Sequence, residues 1–220
     1  MSCIISAPSS NSGKTLLSLV LTAWARSRNI SIQPFKIGPD YLDSQYLSLI
    51  SGRECRNLDL ILSNKKLVRE SFENFRTTAE LSLIEGVMGL FDGIGATEEG
   101  STASVAKFLN LPVVLVIDSC GQAASLAALV NGFKKHDPQI HIAGVVLNKI
   151  STNRHKELLK EVLSQIGTKF LGSLPKDPFL SLPSKNLGLT PARQINDIKV
   201  RMELWASIAE KSLDIKSFQK

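Results

Sequence analysis

The residues with the most evident chemistry lie near the start of the chain, where Gly13, Lys14 and Thr15 follow one another directly. An apolar run ends just before this segment and an apolar helical pattern begins just after it, which is the strand, loop and helix order of a phosphate-binding loop. In such loops glycine lets the backbone approach a phosphate, lysine reaches the β- and γ-phosphates, and the threonine hydroxyl holds Mg²⁺. The segment therefore predicts a site for ATP and Mg²⁺.

The front of this loop departs from the usual pattern. The pattern GxxxxGK[ST] requires glycine at position 8, where Pro8 stands, so the loop is one residue longer and Ala7 fills the small position. The alternative is a serine-rich turn that caps a helix, with Lys14 merely solvated. We predict the following nucleotide-binding residues in the loop and the first helical turn: Ser10, Asn11, Ser12, Gly13, Lys14, Thr15 and Leu16.

Two carboxylates and a lysine follow the second predicted strand. Lys36, Asp40 and Asp43 lie within the segment FKIGPDYLD at positions 35–43. Carboxylate oxygens hold hard cations and a lysine neutralises anionic oxygens, so these three are candidate catalytic residues. A plain turn in which an aspartate caps a helix explains the same letters, and Asp43 is expected to cap a helix over residues 44–51.

Glu85 ends the third predicted strand and begins a glycine-rich segment. An acid at the end of an apolar strand beside the phosphate-loop strand is placed to act on Mg²⁺, so Glu85 is a candidate metal ligand. The glycines that follow would keep the backbone close to a bound substrate, although they also suit a series of turns.

Short β-branched runs alternate with helical patterns along most of the chain. Apolar strands joined by crossover helices predict an α/β fold in three layers, with a mostly parallel central sheet flanked by helices and ligands at the carboxyl ends of its strands. The predicted strands are residues 3–5, 30–35, 81–84, 113–117, 142–147 and 169–174. The predicted helices are residues 16–28, 44–51, 101–109, 122–134, 153–166 and 200–211.

The composition is that of a globular chain with a sizeable core. Of 220 residues, 43% are hydrophobic and 21% charged, and the net charge of +6 is scattered, which suits anionic small molecules. We expect neither a nucleic acid nor a membrane as a partner. Cys3, Cys55 and Cys120 form no metal or disulfide pattern, and no signal peptide is recognisable, so a reducing cytoplasm is expected.

Seven segments in fixed order resemble the amino-terminal domain of cobyrinic acid a,c-diamide synthase. They are APSSNSGKT, FKIGPDYLD, SGRECRNLDLIL, IEGVMGLFDG, VVLVIDS, GVVLNKI and LPKDPFLSLPSKNLGL, and they cover about residues 3–192. The resemblance implies a dethiobiotin-synthetase-like or MinD-like P-loop fold. It also implies activation of the a and c acetates of a corrinoid: each carboxylate takes the γ-phosphate of ATP, and ammonia then displaces phosphate from the acyl phosphate.

The resemblance also implies roles for particular residues. Thr15 and Glu85 would bind Mg²⁺ together with Asp40 or Asp43, and Lys36 would bind phosphate or the substrate carboxylate. By the same resemblance, Asp92 would lie on the substrate side of the loop after the third strand, and Asn148 and Pro175 would border the adenine. A strand-end cap is the alternative role of Asn148.

The ammonia source is the main departure from this family. Its full-length members continue into a glutaminase domain with a nucleophilic cysteine, and none of the three cysteines here lies in such a position. We therefore predict an amide-synthetase domain over residues 1–195 and a C-terminal helix and tail over 196–220, fraying after Leu213. Ammonia would come from a missing glutaminase domain, from a partner subunit or free from solution, and a homodimer is allowed. A second departure is Asn186, where the family usually has histidine.

Other functions compete with this interpretation. A related synthase acting on hydrogenobyrinate or nickel sirohydrochlorin would share these motifs, because the tetrapyrrole pocket is not readable from one sequence. A dethiobiotin-synthetase-like ligase is disfavoured by GPDYLD and RNLDLIL. A MinD/ParA-like nucleotide switch would carry an extra lysine early in the loop, where Ser9 and Ser10 stand.

Overall fold

One sheet of seven parallel strands forms the centre of the molecule, in the spatial order β3-β2-β4-β1-β5-β6-β7. The computed structural model describes residues 2–180, 182, 184–185, 188–189 and 195–219. The strands are β1 Ser2–Ser6, β2 Ile32–Ile37, β3 Arg56–Leu58, β4 Leu81–Glu85, β5 Val113–Asp118, β6 Ile142–Ile150 and β7 Phe170–Pro175. A short antiparallel pair, β8 Ser184–Lys185 and β9 Gly188–Leu189, lies apart from this sheet.

Helices cover both faces of the sheet. The helices are α1 Lys14–Ser27, α2 Leu42–Ser51, α3 Lys65–Arg76, α4 Thr102–Leu109, α5 Ser125–His136, α6 Asn153–Gln165, α7 Ile198–Ser212 and α8 Ile215–Phe218. One apolar cluster joins α1, α2 and α7 to the sheet, and a second cluster joins α3, α4, α5 and α6 to the opposite face. The predicted three-layer α/β architecture is confirmed.

The strand order places the phosphate loop at the centre of the sheet edge. β1 lies between β4 and β5, and the chain leaves it toward β2 on one side before it returns to form β5 on the other. Such a switch point opens a crevice at the carboxyl ends of the strands, where ligands bind in open α/β sheets. Loops after β1, β2 and β4 therefore meet at one place.

Several elements differ from the sequence-based expectations. The short strand β3 and the helix α3 lie in a segment for which no element was predicted. The expected fraying after Leu213 is wrong, because α8 follows and its Phe218 is buried in the apolar cluster that also contains Trp205 of α7. The domain division after residue 195 stays a prediction. Leu180, which follows β7, is buried, whereas Asn186 lies outside the described residues.

The start of α2 also corrects a prediction. The carboxylate of Asp40, not that of Asp43, caps the helix: Asp40 Oδ1 accepts the N–H groups of Leu42 at 3.0 Å and Asp43 at 3.2 Å. The helix consequently begins at Leu42, earlier than expected, and Asp43 falls in its first turn. Capping by Asp40 leaves the carboxylate of Asp43 available for contacts inside the site.

Gly172 in β7 provides a test of how the C-terminal helices dock. Its φ is +129°, and a Cβ there would lie 2.3 Å from the carbonyl oxygen of Ser212 and 2.7 Å from Leu213 Cα. We expect Gly172→Ala to lower the free energy of unfolding by about 1–3 kcal/mol, because the backbone strain and the clash add. Urea denaturation followed by circular dichroism measures this change.

Gly132 is the matched control for this substitution. It lies in α5, is exposed, and has nothing within 4 Å of a built Cβ. Gly132→Ala should therefore raise the free energy of unfolding by about 0.5–1 kcal/mol. If Gly172→Ala were as stable as the wild type, the end of α7 would not pack against β7 as described.

None of the helices in the described part of the chain has both the length and the apolar character needed to span a bilayer.

Candidate nucleotide and metal site

The loop between β1 and α1 is held in shape by its own polar groups. Ser12 Oγ donates to the carbonyl oxygen of Ser9 at 3.0 Å, and Asn11 and Gly13 adopt φ values of +62° and +112°. Gly13 ends the loop, and its carbonyl accepts the N–H of Leu17 at 3.0 Å as the first bond of the helix. The free N–H groups at the start of α1 therefore face the centre of the sheet edge, as phosphate binding requires.

Asn148 at the end of β6 holds this loop from the other side. Its Nδ2 donates to the carbonyl oxygen of Ser12 at 2.9 Å, and its Oδ1 accepts the N–H of Lys149 at 2.9 Å. A Cβ on Gly13 would lie only 2.1 Å from Nδ2, so glycine is required for this close approach. The amide of Asn148 thus fixes the phosphate loop, and its part in adenine binding stays a prediction.

Removing the Asn148 amide gives a testable expectation. In Asn148→Ala the buried carbonyl of Ser12 loses its donor, so the free energy of unfolding should fall by about 1–3 kcal/mol. Because the loop is then less well fixed, the affinity for ATP should fall as well. Thermal denaturation with and without nucleotide measures both effects. A stable variant that bound nucleotide as the wild type does would show that this contact does not position the loop.

Lys14 is a buried cation that lies among carbonyl oxygens. Its Nζ donates to the carbonyl of Ser9 at 3.3 Å and, at closer range, to that of Met88 in the loop after β4. Burial, followed by repulsion from Lys36, lowers the pKa of Lys14, while nearby carboxylates oppose the shift. No carboxylate among the described residues forms an ion pair with Lys14, so an anionic ligand would gain a cation there.

Lys36 lies between three carboxylates. Its Nζ is 2.7 Å from Asp43 Oδ2, 2.9 Å from Glu85 Oε1 and 3.7 Å from Asp40 Oδ2, and it also donates to the carbonyl of Gly86 at 3.2 Å. The sheet places these groups together, because Lys36 of β2 lies directly opposite Glu85 of β4 in the register. The side chains of both residues are almost completely buried.

Thr15 joins the same cluster from the start of α1. Its Oγ1 donates to Glu85 Oε1 at 2.7 Å and lies 3.3 Å from Asp43 Oδ2. Three residues predicted from separate motifs, Thr15, Asp43 and Glu85, are thereby brought together. One carboxylate oxygen of Asp40 instead caps α2. Of the two aspartates, Asp43 therefore has the geometry that is better suited to a metal ligand.

Electrostatics favour the charged forms of Glu85 and Lys36, whereas burial and repulsion from Glu85 raise the pKa of Asp43. Burial acts to raise the pKa of Glu85, but attraction and hydrogen bonding from Lys36, together with the Thr15 hydroxyl, hold it below its usual range. Burial acts to lower the pKa of Lys36, but Glu85 and Asp43 raise it above its ordinary value. Glu85 is therefore a carboxylate and Lys36 an ammonium at neutral pH.

The oxygen donors fit Mg²⁺ bound with a nucleotide. Glu85 Oε2 is buried without a hydrogen-bond partner, which leaves one carboxylate oxygen unused beside the Thr15 hydroxyl. Among the described residues no three carboxylates, cysteines or histidines form a closed metal cluster. Mg²⁺ characteristically takes one or two carboxylates and completes its shell with waters and substrate phosphates. The arrangement suits a metal that enters with ATP rather than a permanent structural metal.

A cavity of about 600 Å³ opens over these groups. The predicted residues on its wall are Ser10, Asn11, Gly13, Lys14, Thr15, Leu16, Lys36, Asp40, Asp43 and Asn148. Ser12 and Glu85 are buried beneath it. Pro175 does not line it: the proline is exposed beside Ile150 at the end of β7, and Leu180 and Leu182 line the cavity instead.

Asp92 is also outside the cavity wall. It is exposed, and its Oδ2 accepts the N–H of Gly89 at 2.8 Å, which tightens the loop after β4. Asp92 therefore does not face the cavity, and its role at the substrate side stays a prediction.

Sequence reasoning missed some residues that line or border the cavity. Met88 has a φ of +46° and supplies the carbonyl for Lys14, a backbone role for which its side chain gives no signal. Lys149 lines the cavity and pairs with Asp118 at 2.6 Å, and both follow buried runs at the ends of β6 and β5. The strand-end rule that found Glu85 could have found this pair.

Solved structures share the fold at low sequence identity. The hydrogenase maturation factor HypB from Archaeoglobus fulgidus aligns with a TM-score of 0.51 at 14% identity, covering 96% of this chain and 89% of that one. Chloroplast FtsY from Physcomitrella patens aligns with a TM-score of 0.54 at 16% identity, covering 93% and 64%. At these identities the likeness concerns the architecture alone.

Curated relatives are closer in sequence. The chain is 40% identical over 215 residues to a cobyrinate a,c-diamide synthase of Gloeobacter violaceus, covering 97% of this chain and 48% of the relative. It is 44% identical over 192 residues to a hydrogenobyrinate a,c-diamide synthase of Streptomyces coelicolor, covering 87% and 40%. The chain thus spans about half the length of the curated relatives it matches.

A family profile covers most of the chain and matches the described site. The profile is that of the CobQ/CobB/MinD/ParA nucleotide binding domain, and it matches residues 3–189, which include the phosphate loop, the carboxylate cluster and Asn148. The chain therefore belongs to the CobQ/CobB/MinD/ParA nucleotide-binding domain family.

Proposed function

We propose that this chain is the ATP-dependent amide-forming domain of a cobyrinate a,c-diamide synthase of cobalamin biosynthesis. The observation that carries the proposal is the meeting of Lys14, Thr15 and Lys36 at one cavity, with Glu85 buried in contact with Thr15 and Lys36. The chain is also 40% identical over nearly its whole length to a named synthase. These groups suit the phosphorylation of a carboxylate, which brings anions together and needs positioned cations more than a general base.

The reaction has two steps. An oxygen of the corrinoid acetate attacks the γ-phosphorus of ATP, the bond to the ADP oxygen breaks, and an acyl phosphate forms. Ammonia then adds to the acyl carbon and loses a proton, and phosphate leaves with the bonding electrons to give the amide. Lys14 and Lys36 lower the repulsion between the carboxylate and the γ-phosphate, and the glycine-rich loop after β4 brings its backbone to the same cavity.

Mg²⁺ bound with ATP would withdraw charge from the γ-phosphate. Thr15, Asp43 and Glu85 are the residues that would hold it. Lys14 orients the phosphates through a buried amine, and Lys36 neutralises the carboxylate cluster beside them.

The ammonia source is a further part of the proposal. Burial raises the pKa of the Cys3 and Cys55 thiols to about 12, so neither is a thiolate nucleophile for glutamine hydrolysis. Cys120 is exposed in a loop after β5, and no histidine pairs with it among the described contacts. Glutamine-derived ammonia would come from a glutaminase domain or subunit, with free ammonia as the substitute in vitro.

The first experiment measures ATP turnover with Mg²⁺ and ammonium chloride, with and without cobyrinic acid, followed by mass analysis of the corrinoid. The expected result is turnover that depends on cobyrinic acid, together with the mass decrease of two acids converted into amides. ATP turnover that is independent of any carboxylate and stimulated by DNA or membranes would favour a MinD/ParA-like switch instead, despite Ser9 and Ser10 at the position of the extra lysine.

Hydrogenobyrinate is the second candidate substrate, because the Streptomyces relative named for it is 44% identical to this chain. The same assay with hydrogenobyrinic acid, nickel sirohydrochlorin and the dethiobiotin precursor compares the alternatives directly. The substrate with the highest kcat/KM identifies the synthase, and turnover only with the dethiobiotin precursor would overturn the tetrapyrrole assignment. The cytoplasmic location and a homodimer stay predictions.

A further inference from the structure

Lys36 lies between two carboxylates of the proposed metal site. Its Nζ lies within hydrogen-bond distance of Asp43 Oδ2 and Glu85 Oε1, and Thr15 Oγ1 binds the same Glu85 oxygen at 2.7 Å. The side chain of Lys36 is only 3% exposed. One ammonium group therefore binds one oxygen of each of these two carboxylates and places a positive charge at the proposed metal site, while Glu85 Oε2 has no hydrogen-bond partner.

We propose that Lys36 is a resident cation that closes the metal site until a triphosphate arrives, so that metal and nucleotide bind together. The inference rests on the metal site of the proposed function but is independent of which carboxylate the chain amidates. It assigns to Lys36 a positioning role before the reaction, in addition to any contact with the phosphate.

The cost of moving Lys36 is the physical basis of this coupling. A metal that arrives alone must either bind against this positive charge or displace the ammonium from Asp43 and Glu85, and among the carboxylates of the described residues only Asp40, at 3.7 Å, is then left nearby. A buried cation that loses its anionic partners is strongly unfavourable. The metal and the lysine therefore compete for the same two carboxylates.

A bound triphosphate changes this balance. Lys36 lines the same cavity as Lys14 and Thr15, so phosphate oxygens held there would offer the displaced ammonium new anionic partners. The carboxylates are then free for the metal that accompanies the nucleotide. Because coupling between two ligands is reciprocal, the metal must strengthen nucleotide binding by the same factor.

Lys14 supplies a matched control. It is the other buried lysine of the cavity, but its Nζ contacts the carbonyl oxygens of Ser9 and Met88 and pairs with no carboxylate in the described contacts. Removing its charge leaves the carboxylate cluster occupied by Lys36. Comparison of variants at the two lysines therefore distinguishes competition for the metal ligands from the effect of removing one positive charge from the cavity.

The test is Mn²⁺ binding without nucleotide, followed by electron paramagnetic resonance of the free ion. Lys36→Gln keeps a hydrogen-bond donor beside the carboxylates but removes the charge. Relative to the wild type, it should bind Mn²⁺ about 5- to 150-fold more tightly, the usual range of coupling between two ligands. Lys14→Gln removes a nearby charge but no contact with a carboxylate, so it should strengthen Mn²⁺ binding by a clearly smaller factor. Equal Mn²⁺ affinity in Lys36→Gln and the wild type would overturn the inference.

A second measurement uses the wild type alone and so remains decisive if Lys36→Gln does not fold. Mn²⁺ by itself should leave the thermal denaturation midpoint almost unchanged, whereas Mn²⁺ with a non-hydrolysable ATP analogue should raise it. A rise as large with Mn²⁺ alone would overturn the inference. If the wild type bound no nucleotide at all, the proposed function itself would fail, which these measurements distinguish from failure of the Lys36 role.

Discussion

Lys14→Ala is expected to lose nearly all corrinoid-dependent ATP turnover. Lys14 is buried at the cavity wall, and its amine is held by two carbonyl oxygens that a phosphate group can replace or supplement. Removal of one preorganised donor of this kind lowers kcat by about 10²–10³-fold. Because Lys14 is charged and faces the transferred phosphate, we expect a loss at or above the upper end of this range. Steady-state ATP turnover with Mg²⁺ and ammonium chloride measures the loss.

A surface lysine controls for the substitution itself. Lys66 lies on α3 with its side chain 83% exposed and only a weak approach to Glu70 at 3.9 Å. Lys66→Ala should leave turnover and stability unchanged, because exposed ion pairs contribute little. If Lys14→Ala turned over ATP as fast as Lys66→Ala, the loop at residues 7–15 would not be the phosphate site.

Glu85→Gln is the second substitution with a large expected effect, and it should act on the chemical step. Glutamine has the same shape, so it keeps contact with Thr15 and Lys36, but it removes the negative charge that would hold the metal. We expect kcat to fall by about 10²–10³-fold, with a much smaller change in the KM for ATP. The Mg²⁺ concentration that gives half-maximal rate should rise at the same time.

The measurement is the initial rate as a function of Mg²⁺ at saturating ATP, with thermal denaturation run in parallel. Glu161→Gln, an exposed acid of α6, is the control and should behave as the wild type. A Glu85→Gln chain that retained the wild-type rate at low Mg²⁺ would exclude Glu85 as a metal ligand. If the Glu85→Gln chain did not fold without added ligand, the main role of Glu85 would be to stabilise the protein through its buried ion pair with Lys36.

The sequence is informative where chemistry follows a strand directly. Thr15 and Glu85 could be predicted as partners because parallel strands end at one edge, and the sheet register indeed sets Glu85 beside Ile5 and Lys36. The choice between Asp40 and Asp43 could not be made, since it depends on which residue begins α2, and helix ends are uncertain by a residue or two.

The other features of the fold and the site could not be predicted, because they depend on short elements and on contacts of the backbone. β3 has only three residues, too few for a periodic pattern, and α8 is a single turn held by the burial of Phe218. The amide of Asn148 was expected to face the adenine, yet its direction toward Ser12 depends on a tertiary contact that no local pattern encodes. The carbonyl of Met88 is equally invisible in the letters.

The contact between Asn148 and the phosphate loop joins residues that are synthesised at widely separated times. Ser12 leaves the ribosome early, whereas its partner follows 136 residues later and the metal-side contact of Thr15 with Glu85 spans 70. A nascent chain that ends before β6 thus carries an unclamped loop, because contacts of such separation form late. A nucleotide therefore meets the clamped form of the loop only once synthesis has passed the sixth strand.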